Sequence, residues 1–194
     1  MQHRRTAATI TALAIAAFSL AACNDGATVN DKPKAKAPAT TESSEPATAA
    51  DPSPAPDVAK VGDTIALTGM EGGKLDVTAV KFVDPAKPGD DFTEPGSGKR
   101  FVGVQFQLVN TGTTAYSDSP INGAQIADEQ GQQFQPIFAD ISAGPSMASE
   151  VRLKPGAKAL GWITFEVPQD VKLSTVQFAM DSGFADQTGE WKLH

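Results

Sequence analysis

The sequence predicts an all-β, antiparallel domain over residues 58–194. Its clearest run is Phe101 to Asn110, where apolar side chains alternate with Gly or Gln at the period of two that is typical of a strand. Similar short runs are separated by turn signals rich in Gly, Pro, Asn and Asp, and no segment sustains the helical period of 3.6. About seven to nine short strands in a domain of this size favour a two-sheet sandwich of immunoglobulin type over a closed barrel.

Three strands are predicted in the first half of this domain. Ile65 and Leu67 share one face of the first strand, and Gly72-Gly73 after it suits a tight hairpin. In the second strand, Leu75 to Val83, the apolar residues change face midway, which predicts a bulge or burial on both faces. The third strand is the regular run that begins at Phe101, and its alternate apolar side chains are expected to face the core.

Turn signals also separate the strands of the second half. Asn110-Thr111-Gly112 suits a turn, Asp128 to Gly131 suits a type I turn with glycine last, and Pro155-Gly156 fits the centre of a type II turn. The strands predicted around these turns are Ala124 to Ala127, Gln133 to Phe138, Ile163 to Val167, Val176 to Met180 and Glu190 to Leu193. Their shortness agrees with the predicted sandwich.

The N-terminus has the features of an export signal. Residues 1–22 combine a basic start, an apolar run too short to cross a bilayer as a helix, and small residues before the cleavage point. Leu20-Ala21-Ala22-Cys23 fits the lipobox that bacterial lipoprotein processing recognises, and Cys23 is the only cysteine. We favour lipidation of Cys23 over a chance cysteine behind an ordinary signal peptide. Palmitate-type acyl chains on Cys23 would then anchor the mature protein to the membrane.

Residues 23–57 are predicted to form a disordered linker between this anchor and the domain. The segment consists mainly of Ala, Pro, Thr, Ser, Lys and Glu, and Val29 is its only large apolar residue. Such a composition cannot bury enough surface to offset the entropy lost on ordering. The linker is therefore expected to hold the domain away from the membrane. Whether its serines and threonines carry sugars is left open by the composition.

The charge of the mature chain limits the classes of partner that it can bind. Removal of residues 1–22 leaves 14 basic and 23 acidic residues, a formal net charge of −9. Nucleic acids and anionic lipid headgroups bind through clustered Lys and Arg, which an acidic surface repels. We therefore expect no nucleic-acid partner.

The sequence also removes most catalytic arrangements. His3 lies in the signal and His194 ends the chain, while lipidation would consume Cys23, so Ser-His-Asp and Cys-His machinery and His- or Cys-ligated metals are excluded. No Gly-rich phosphate loop is present, and Ser97-Gly98-Lys99 lies at the edge of a turn, a poor setting for a Ser-Lys dyad. We expect neither enzymatic activity nor a cofactor.

Several segments together resemble a known family. They are Gly62-Asp63-Thr64, Lys99 to Asn110, Asp128 to Phe134, Leu153-Lys154-Pro155-Gly156, and Gly161 to Pro168. In this order they resemble the domain-of-unknown-function lipoproteins of Gram-positive bacteria, which are grouped with the immunoprotective extracellular, immunoglobulin-like antigens of mycobacteria. The resemblance covers about residues 60–194. It implies an immunoglobulin-like sandwich outside the cell, with no established enzymatic role and no catalytic residues to transfer.

Two loops are candidates for binding. The acidic loop, Asp84 to Gly98, carries four carboxylates, the ligand type that calcium takes, but its spacing does not match the twelve-residue calcium loop. We favour a solvated acidic loop. The second candidate is the 139–149 loop, whose Ile141 and Met147 either lie exposed at one end of the sandwich or fill the open end of its core. We favour the second possibility.

Three aromatic residues have alternative interpretations. Trp162 shares a strand face with Leu160, which favours packing over a sugar-stacking platform, and Trp191 lies in or near the last strand. Tyr116, the only tyrosine, follows a turn where it is suited to cap a corner by a hydrogen bond.

These observations predict a non-catalytic cell-surface lipoprotein, held at the extracellular face of the membrane by its lipid anchor. Its immunoglobulin-like domain is expected to act as a binding or interaction module, with an envelope protein or a cell-wall ligand as the partner. The alternative is a structural or accessory subunit of an envelope or transport complex. An enzyme is the third and least supported class. The ligand and the oligomeric state are left open.

Overall fold

The computed structural model describes residues 58–194. The predicted signal peptide 1–22, the linker 23–57 and the lipidation residue Cys23 lie outside the described residues. The strands are β1 Thr64–Thr68, β2 Lys74–Ala86, β3 Lys99–Asn110, β4 Tyr116–Asp118, β5 Ala124–Asp128, β6 Gln133–Phe134, β7 Pro136–Ile137, β8 Val151–Leu153, β9 Lys158–Pro168, β10 Leu173–Ala179 and β11 Thr188–Lys192. Two short 3-10 turns, Pro120–Gly123 and Asp181–Gly183, are the helical elements of this part of the chain. Neither turn has the length that crossing a membrane requires.

The strands form two main antiparallel sheets and a small third one. The five-stranded sheet has the order β1-β2-β3-β9-β7, the four-stranded sheet β11-β10-β5-β6, and β4 pairs with β8. Apolar side chains from both main sheets meet in one core. The predicted antiparallel β-sandwich is confirmed. Seven strands have five or more residues, within the predicted range, and the other four have only two or three.

The alternation predicted in β3 places its apolar side chains in this core. Val102, Val104, Phe106 and Leu108 are all fully buried. The ring of Phe106 lies 5.5 Å from that of Phe178 in the opposite sheet, measured between centroids. Because aromatic pairs attract at this separation, Phe106 links the two sheets through the middle of the core.

The bulge predicted in the second strand lies at Val80. Ala79 pairs with Phe106 and Lys81 pairs with Gln105, so Val80 is an extra residue opposite no partner. The extra residue shifts the face of the strand, because the side chains of a strand alternate with a period of two. This explains how Phe82, which pairs with the core residue Val104, packs against the same core as Leu75 and Val77 although it lies an odd number of residues after them.

Two predicted turns have the expected geometry. The Gly131 N–H donates to the carbonyl of Asp128 over 3.1 Å, as in a type I turn with glycine last. The Ala157 N–H donates to the carbonyl of Lys154 over 2.9 Å, and Gly156 has a φ of 79°. A type II turn needs this positive φ at its third position, and glycine adopts it without steric cost.

The prediction of one strand over Gln133 to Phe138 is wrong. Gln133–Phe134 pairs with β5 in the four-stranded sheet, whereas Pro136–Ile137 pairs with β9 in the five-stranded sheet. The chain therefore crosses from one sheet to the other at Gln135. Proline lacks the N–H that a ladder needs, so Pro136 suits the edge of a sheet. This crossing brings Ile137 and Phe138 beside β9.

Candidate functional site

A second apolar cluster lies on the outer face of the five-stranded sheet. It contains Ala86, Phe101, Ile141 and Trp162, all buried. Gly103 on β3 makes room for it, because a Cβ atom at this position would lie only 2.4 Å from Cδ1 of Ile141. The 139–149 loop therefore covers part of a sheet face that would otherwise be exposed to solvent.

Backbone hydrogen bonds bring the acidic loop and the 139–149 loop together. The Gly89 N–H donates to the carbonyl of Asp140, and the Ser142 N–H donates to the carbonyl of Lys87, both over 2.9 Å. The two loops that the sequence singled out for separate reasons are therefore neighbours.

The end of the 139–149 loop also pairs with β9. The Trp162 N–H donates to the carbonyl of Pro145 over 3.0 Å, and the Met147 N–H donates to the carbonyl of Trp162 over 2.7 Å. Gly161 permits this approach, because a Cβ there would lie 2.4 Å from the Cα of Met147. The loop is thus held by strand-like pairing as well as by apolar contact.

The structure decides between the two interpretations of Ile141 and Met147. Their exposed fractions are 3% and 4%. Ile141 belongs to the outer cluster and Met147 to the main core. The predicted burial of both side chains is confirmed, and their exposure as a recognition surface is wrong. Met147 packs in the main core as predicted, whereas Ile141 lies in the outer cluster and not at the open end of the core.

A cleft of about 220 Å³ opens between this loop, β7 and β9. Its apolar lining residues are Ile121, Ile137, Phe138, Ala139, Met147, Trp162 and Ile163. Its polar lining residues are Asp140, Ser146, Ser149 and Thr164. Apolar walls with a few polar groups are the usual composition of a small-molecule site.

Thr164 distinguishes this cleft from an ordinary surface depression. Among the buried side-chain oxygens of residues 58–194, Oγ1 of Thr164 and Oδ2 of Asp128 have no hydrogen-bond partner. The other carboxylate oxygen of Asp128 accepts two backbone N–H groups, whereas the hydroxyl of Thr164 is the whole polar part of its side chain. An unpaired buried polar group costs about 1–3 kcal/mol. This oxygen is closed to solvent, so a ligand in the cleft recovers that cost only if the wall moves to admit it.

The acidic loop uses two of its carboxylates to organise itself. Asp84 accepts two hydrogen bonds from Arg100, over 2.6 and 2.8 Å. Asp90 accepts hydrogen bonds from the backbone N–H groups of Phe92 and Thr93. These hydrogen bonds lower the pKa of Asp90, and the bond from Phe92 has the largest effect. Within residues 58–194, no three His, Cys, Asp or Glu side chains are grouped to hold a metal ion. The carboxylates of the loop do not converge as calcium ligands do.

Glu166 on β9 contacts the C-terminal end of the acidic loop, and the stability that this contact provides should depend on pH. Its carboxylate accepts the Gly96 N–H over 2.8 Å and contacts Nζ of Lys99 at 2.6 Å. The Gly96 N–H first, and then Lys99, lower the pKa of Glu166 from its usual 4.5. Because the pKa of Glu166 is lower in the folded state than in the unfolded state, its ionised carboxylate stabilises the fold at pH values above 4.5. This stabilisation is lost as the pH falls through the pKa that Glu166 has in the folded state. Glu166→Gln should therefore melt at a lower temperature than wild type at pH 7, with the gap closing below pH 4.5.

Thermal melts from pH 7 to pH 3 check this expectation. Glu129→Gln, at an exposed position, is the control and should follow the wild-type curve. A gap between Glu166→Gln and wild type that stays constant down to pH 3 would contradict the linkage.

The remaining predicted residues have structural positions. Trp162 is buried in the outer cluster, which confirms packing over an open platform, and Trp191 is buried in the main core. The hydroxyl of Tyr116 donates to Oδ2 of Asp118 over 3.1 Å, and burial, followed by Asp118, raises the pKa of Tyr116. Lys99, the lysine of the rejected dyad, contacts Glu166.

Three of the four polar residues of the cleft, Asp140, Ser146 and Ser149, lie in the 139–149 loop that the sequence identifies as a binding candidate, whereas Thr164 is not predicted. Thr164 lies between the core residues Ile163 and Phe165, so alternation assigned it to the solvent face. The sequence identifies Asp140 only as one residue of the 139–149 loop and predicts no role of its own for it. No local signal distinguishes such residues, because their environment comes from β7 and the 139–149 loop.

The fold and this cleft define an antiparallel β-sandwich domain with a small, mainly apolar cleft beside β9. The chain belongs to the family described as domain of unknown function (DUF4352), whose model matches residues 61–188. This confirms the resemblance found in the sequence. No curated protein sequence matches the chain.

Solved structures of similar fold come from several bacteria. A secreted protein of Mycobacterium tuberculosis, MPT63, is 16% identical with a TM-score of 0.47, and the match covers 72% of this chain and 99% of MPT63. The yjhA protein of Bacillus subtilis is 17% identical with a TM-score of 0.48, covering 71% of this chain and 100% of yjhA. A candidate lipoprotein of the same organism, ycdA, is 11% identical with a TM-score of 0.50, covering 70% of this chain but only 38% of ycdA. At these identities the likeness concerns the fold alone.

Proposed function

We propose that this chain is a non-catalytic, lipid-anchored cell-surface protein whose sandwich domain binds a ligand in the cleft beside β9. The lipobox ending at Cys23 supports the anchor. A location outside the cell would agree with the description of ycdA, which shares the fold, as a candidate lipoprotein. The absence of an interior histidine and of a free cysteine after lipidation supports binding over catalysis.

The observation that carries the binding proposal is the apolar cleft, and Thr164 in its lining has a buried hydroxyl without a hydrogen-bond partner. Its residue is only 2% exposed, so bulk water does not reach the hydroxyl freely. Most buried polar groups in folded proteins have a hydrogen-bond partner, and the exceptions call for an explanation such as a bound ligand or water. A bound ligand buries the apolar walls, and it supplies a partner to Thr164 where the wall shifts enough to open the hydroxyl to the cleft.

Native mass spectrometry of the protein purified from its own cells tests this proposal. Ser149 is exposed and lines the cleft, so Ser149→Phe should fill the mouth and remove a bound small molecule. Ala148 is also exposed but does not line the cleft, so Ala148→Phe is the matched control and should retain the ligand. A bound molecule that survives both substitutions, or is missing from wild type, would count against the cleft.

The anchor is tested separately by acyl labelling and membrane fractionation. The wild-type chain should incorporate labelled palmitate and sediment with membranes. Cys23→Ala removes the only thiol and should lose both properties. A Cys23→Ala chain that still sediments with membranes would refute the lipid anchor.

An accessory role in an envelope complex is the second candidate, because two highly exposed aromatic side chains lie at the acidic loop and at the cleft. Phe92 in the acidic loop is 97% exposed and Phe138 at the cleft is 82% exposed. Exposed aromatic residues are enriched where proteins bind one another. Crosslinking from intact membranes should then recover one protein with wild type and lose it with Phe92→Ser or Phe138→Ser. Recovery that is equal for all three chains would refute this candidate.

A further inference from the structure

The dimensions of the cleft limit what it can bind, an inference that rests on the proposed function. Its volume is about 220 Å³. An apolar cavity of about 150 Å³ binds benzene, while typical ligand pockets occupy about 300–1,000 Å³. The cleft therefore suits a body of about one ring with a short substituent. A folded peptide segment or a sugar chain is too large.

The charge of the lining restricts the ligand further. None of the eleven lining residues, all within residues 58–194, is Lys, Arg or His, and Asp140 is the only one with a charge. The Asp140 carboxylate is exposed and accepts a hydrogen bond from the hydroxyl of Ser146. Serine and threonine hydroxyls complete the polar lining and carry no charge. An anionic group would meet a carboxylate and no cation, whereas an ammonium would meet an opposite charge.

Two aromatic side chains add to this preference. Trp162 forms part of the buried wall, and Phe138 stands exposed two residues before Asp140. Aromatic ring faces attract cations, tryptophan most strongly, and the attraction is larger where water is excluded. Rings and carboxylate thus favour the same class of ligand.

We propose that the cleft binds a small organic cation, with a single-ring apolar body against Trp162 and Met147 and an ammonium group beside Asp140. The apolar body displaces water from the walls, and Asp140 selects the charge.

Three probes of nearly equal shape and different charge test the proposal on the full chain. They are phenethylamine, phenethyl alcohol and 3-phenylpropionate. The chain has two tryptophans, so a nitrogen–proton NMR spectrum holds two indole N–H signals. The signal of Trp162 reports on the cleft, while Trp191, whose indole N–H donates to the carbonyl of Asp63 over 2.9 Å, is an internal control. We expect each binding probe to move the Trp162 signal and leave that of Trp191 in place.

The affinities then separate charge from shape. The amine should bind about five-fold more tightly than the alcohol, and the carboxylate about five-fold more weakly, as expected for unit charges about 4 Å apart in water. Asp140→Asn should remove most of the difference between amine and alcohol, leaving what the aromatic rings contribute, and should leave the affinity for the alcohol unchanged. Glu150→Gln, an exposed acid just after the loop that does not line the cleft, should change neither.

The same experiment distinguishes a failure of the cation selectivity from a failure of the cleft as a binding site. Equal affinities for the three probes, with movement confined to Trp162, would overturn the selection for cations and support a binding cleft. No movement of the Trp162 signal with any probe, or equal movement of both indole signals, would overturn the cleft as a binding site together with the proposed function.

Discussion

Trp191→Ala is expected to lower the free energy of unfolding by about 4 kcal/mol, the largest single effect among these predictions. Trp191 is fully buried, and its ring lies 5.9 Å from that of Phe106 in an edge-to-face arrangement. Its indole N–H also donates to the carbonyl of Asp63 over 2.9 Å. The substitution therefore opens a cavity between the sheets and removes a hydrogen bond, and both changes favour the unfolded state.

Urea unfolding at equilibrium measures this effect. Trp191→Phe keeps an aromatic ring in the core but loses the N–H donor, so its loss should be clearly smaller than that of Trp191→Ala. Phe184→Ala removes an exposed aromatic residue and should stay within about 0.5 kcal/mol of wild type. A Trp191→Ala chain as stable as Phe184→Ala would refute the central place of Trp191 in the core.

Trp162→Ala is expected to cost about 3 kcal/mol, at the lower end of the range for removing a buried aromatic side chain. Trp162 belongs to the small outer cluster, which is covered by the 139–149 loop and not by the second sheet. Its loss should release that loop before it loosens the sandwich, because the core residues of β3 face the other side of the sheet. The cleft wall would be lost with it.

Amide hydrogen exchange distinguishes this local effect from global destabilisation. The N–H groups of Gly89, Ser142 and Met147, which hold the loop, should exchange faster in Trp162→Ala, and those of Val104 and Phe106 should keep most of their protection. Leu160→Ala, two residues earlier on the same strand face and half exposed, is the control and should change little. A uniform increase across both sheets would show that Trp162 supports the whole fold.

The predicted strands agree with the structure where local alternation and burial coincide. In β3 and β9, one face meets the opposite sheet, so alternate apolar residues identify the core face directly. The type I and type II turns were predictable for a similar reason, since Gly131 and Gly156 supply backbone conformations that glycine adopts most easily. The segment Gln133 to Phe138 failed because pattern alone cannot show that one half pairs with β5 and the other with β9.

The 139–149 loop shows how little of the site was predictable. The sequence identified the loop, and it raised the burial of Ile141 and Met147 as one of two possibilities. It did not identify Thr164 as a wall residue, because a threonine opposite the core face of a strand usually meets solvent. This part of the outer sheet face is buried because the 139–149 loop and the edge strand β7 pack over it, and because Gly103 leaves space for Ile141.

By itself the sequence determined the all-β class, the positions of the longer strands and the main turns, since each depends on neighbouring residues. It also carries the predictions of a lipid-anchored, exported protein through Cys23 and of a protein without histidine- or cysteine-based catalysis. The tertiary structure alone decided the pairing of the two loops, the second cluster and the cleft with its unpaired hydroxyl. These features depend on contacts between residues far apart in the chain, such as Gly89 with Asp140 and Trp162 with Met147, and local periodicity contains no information about such contacts.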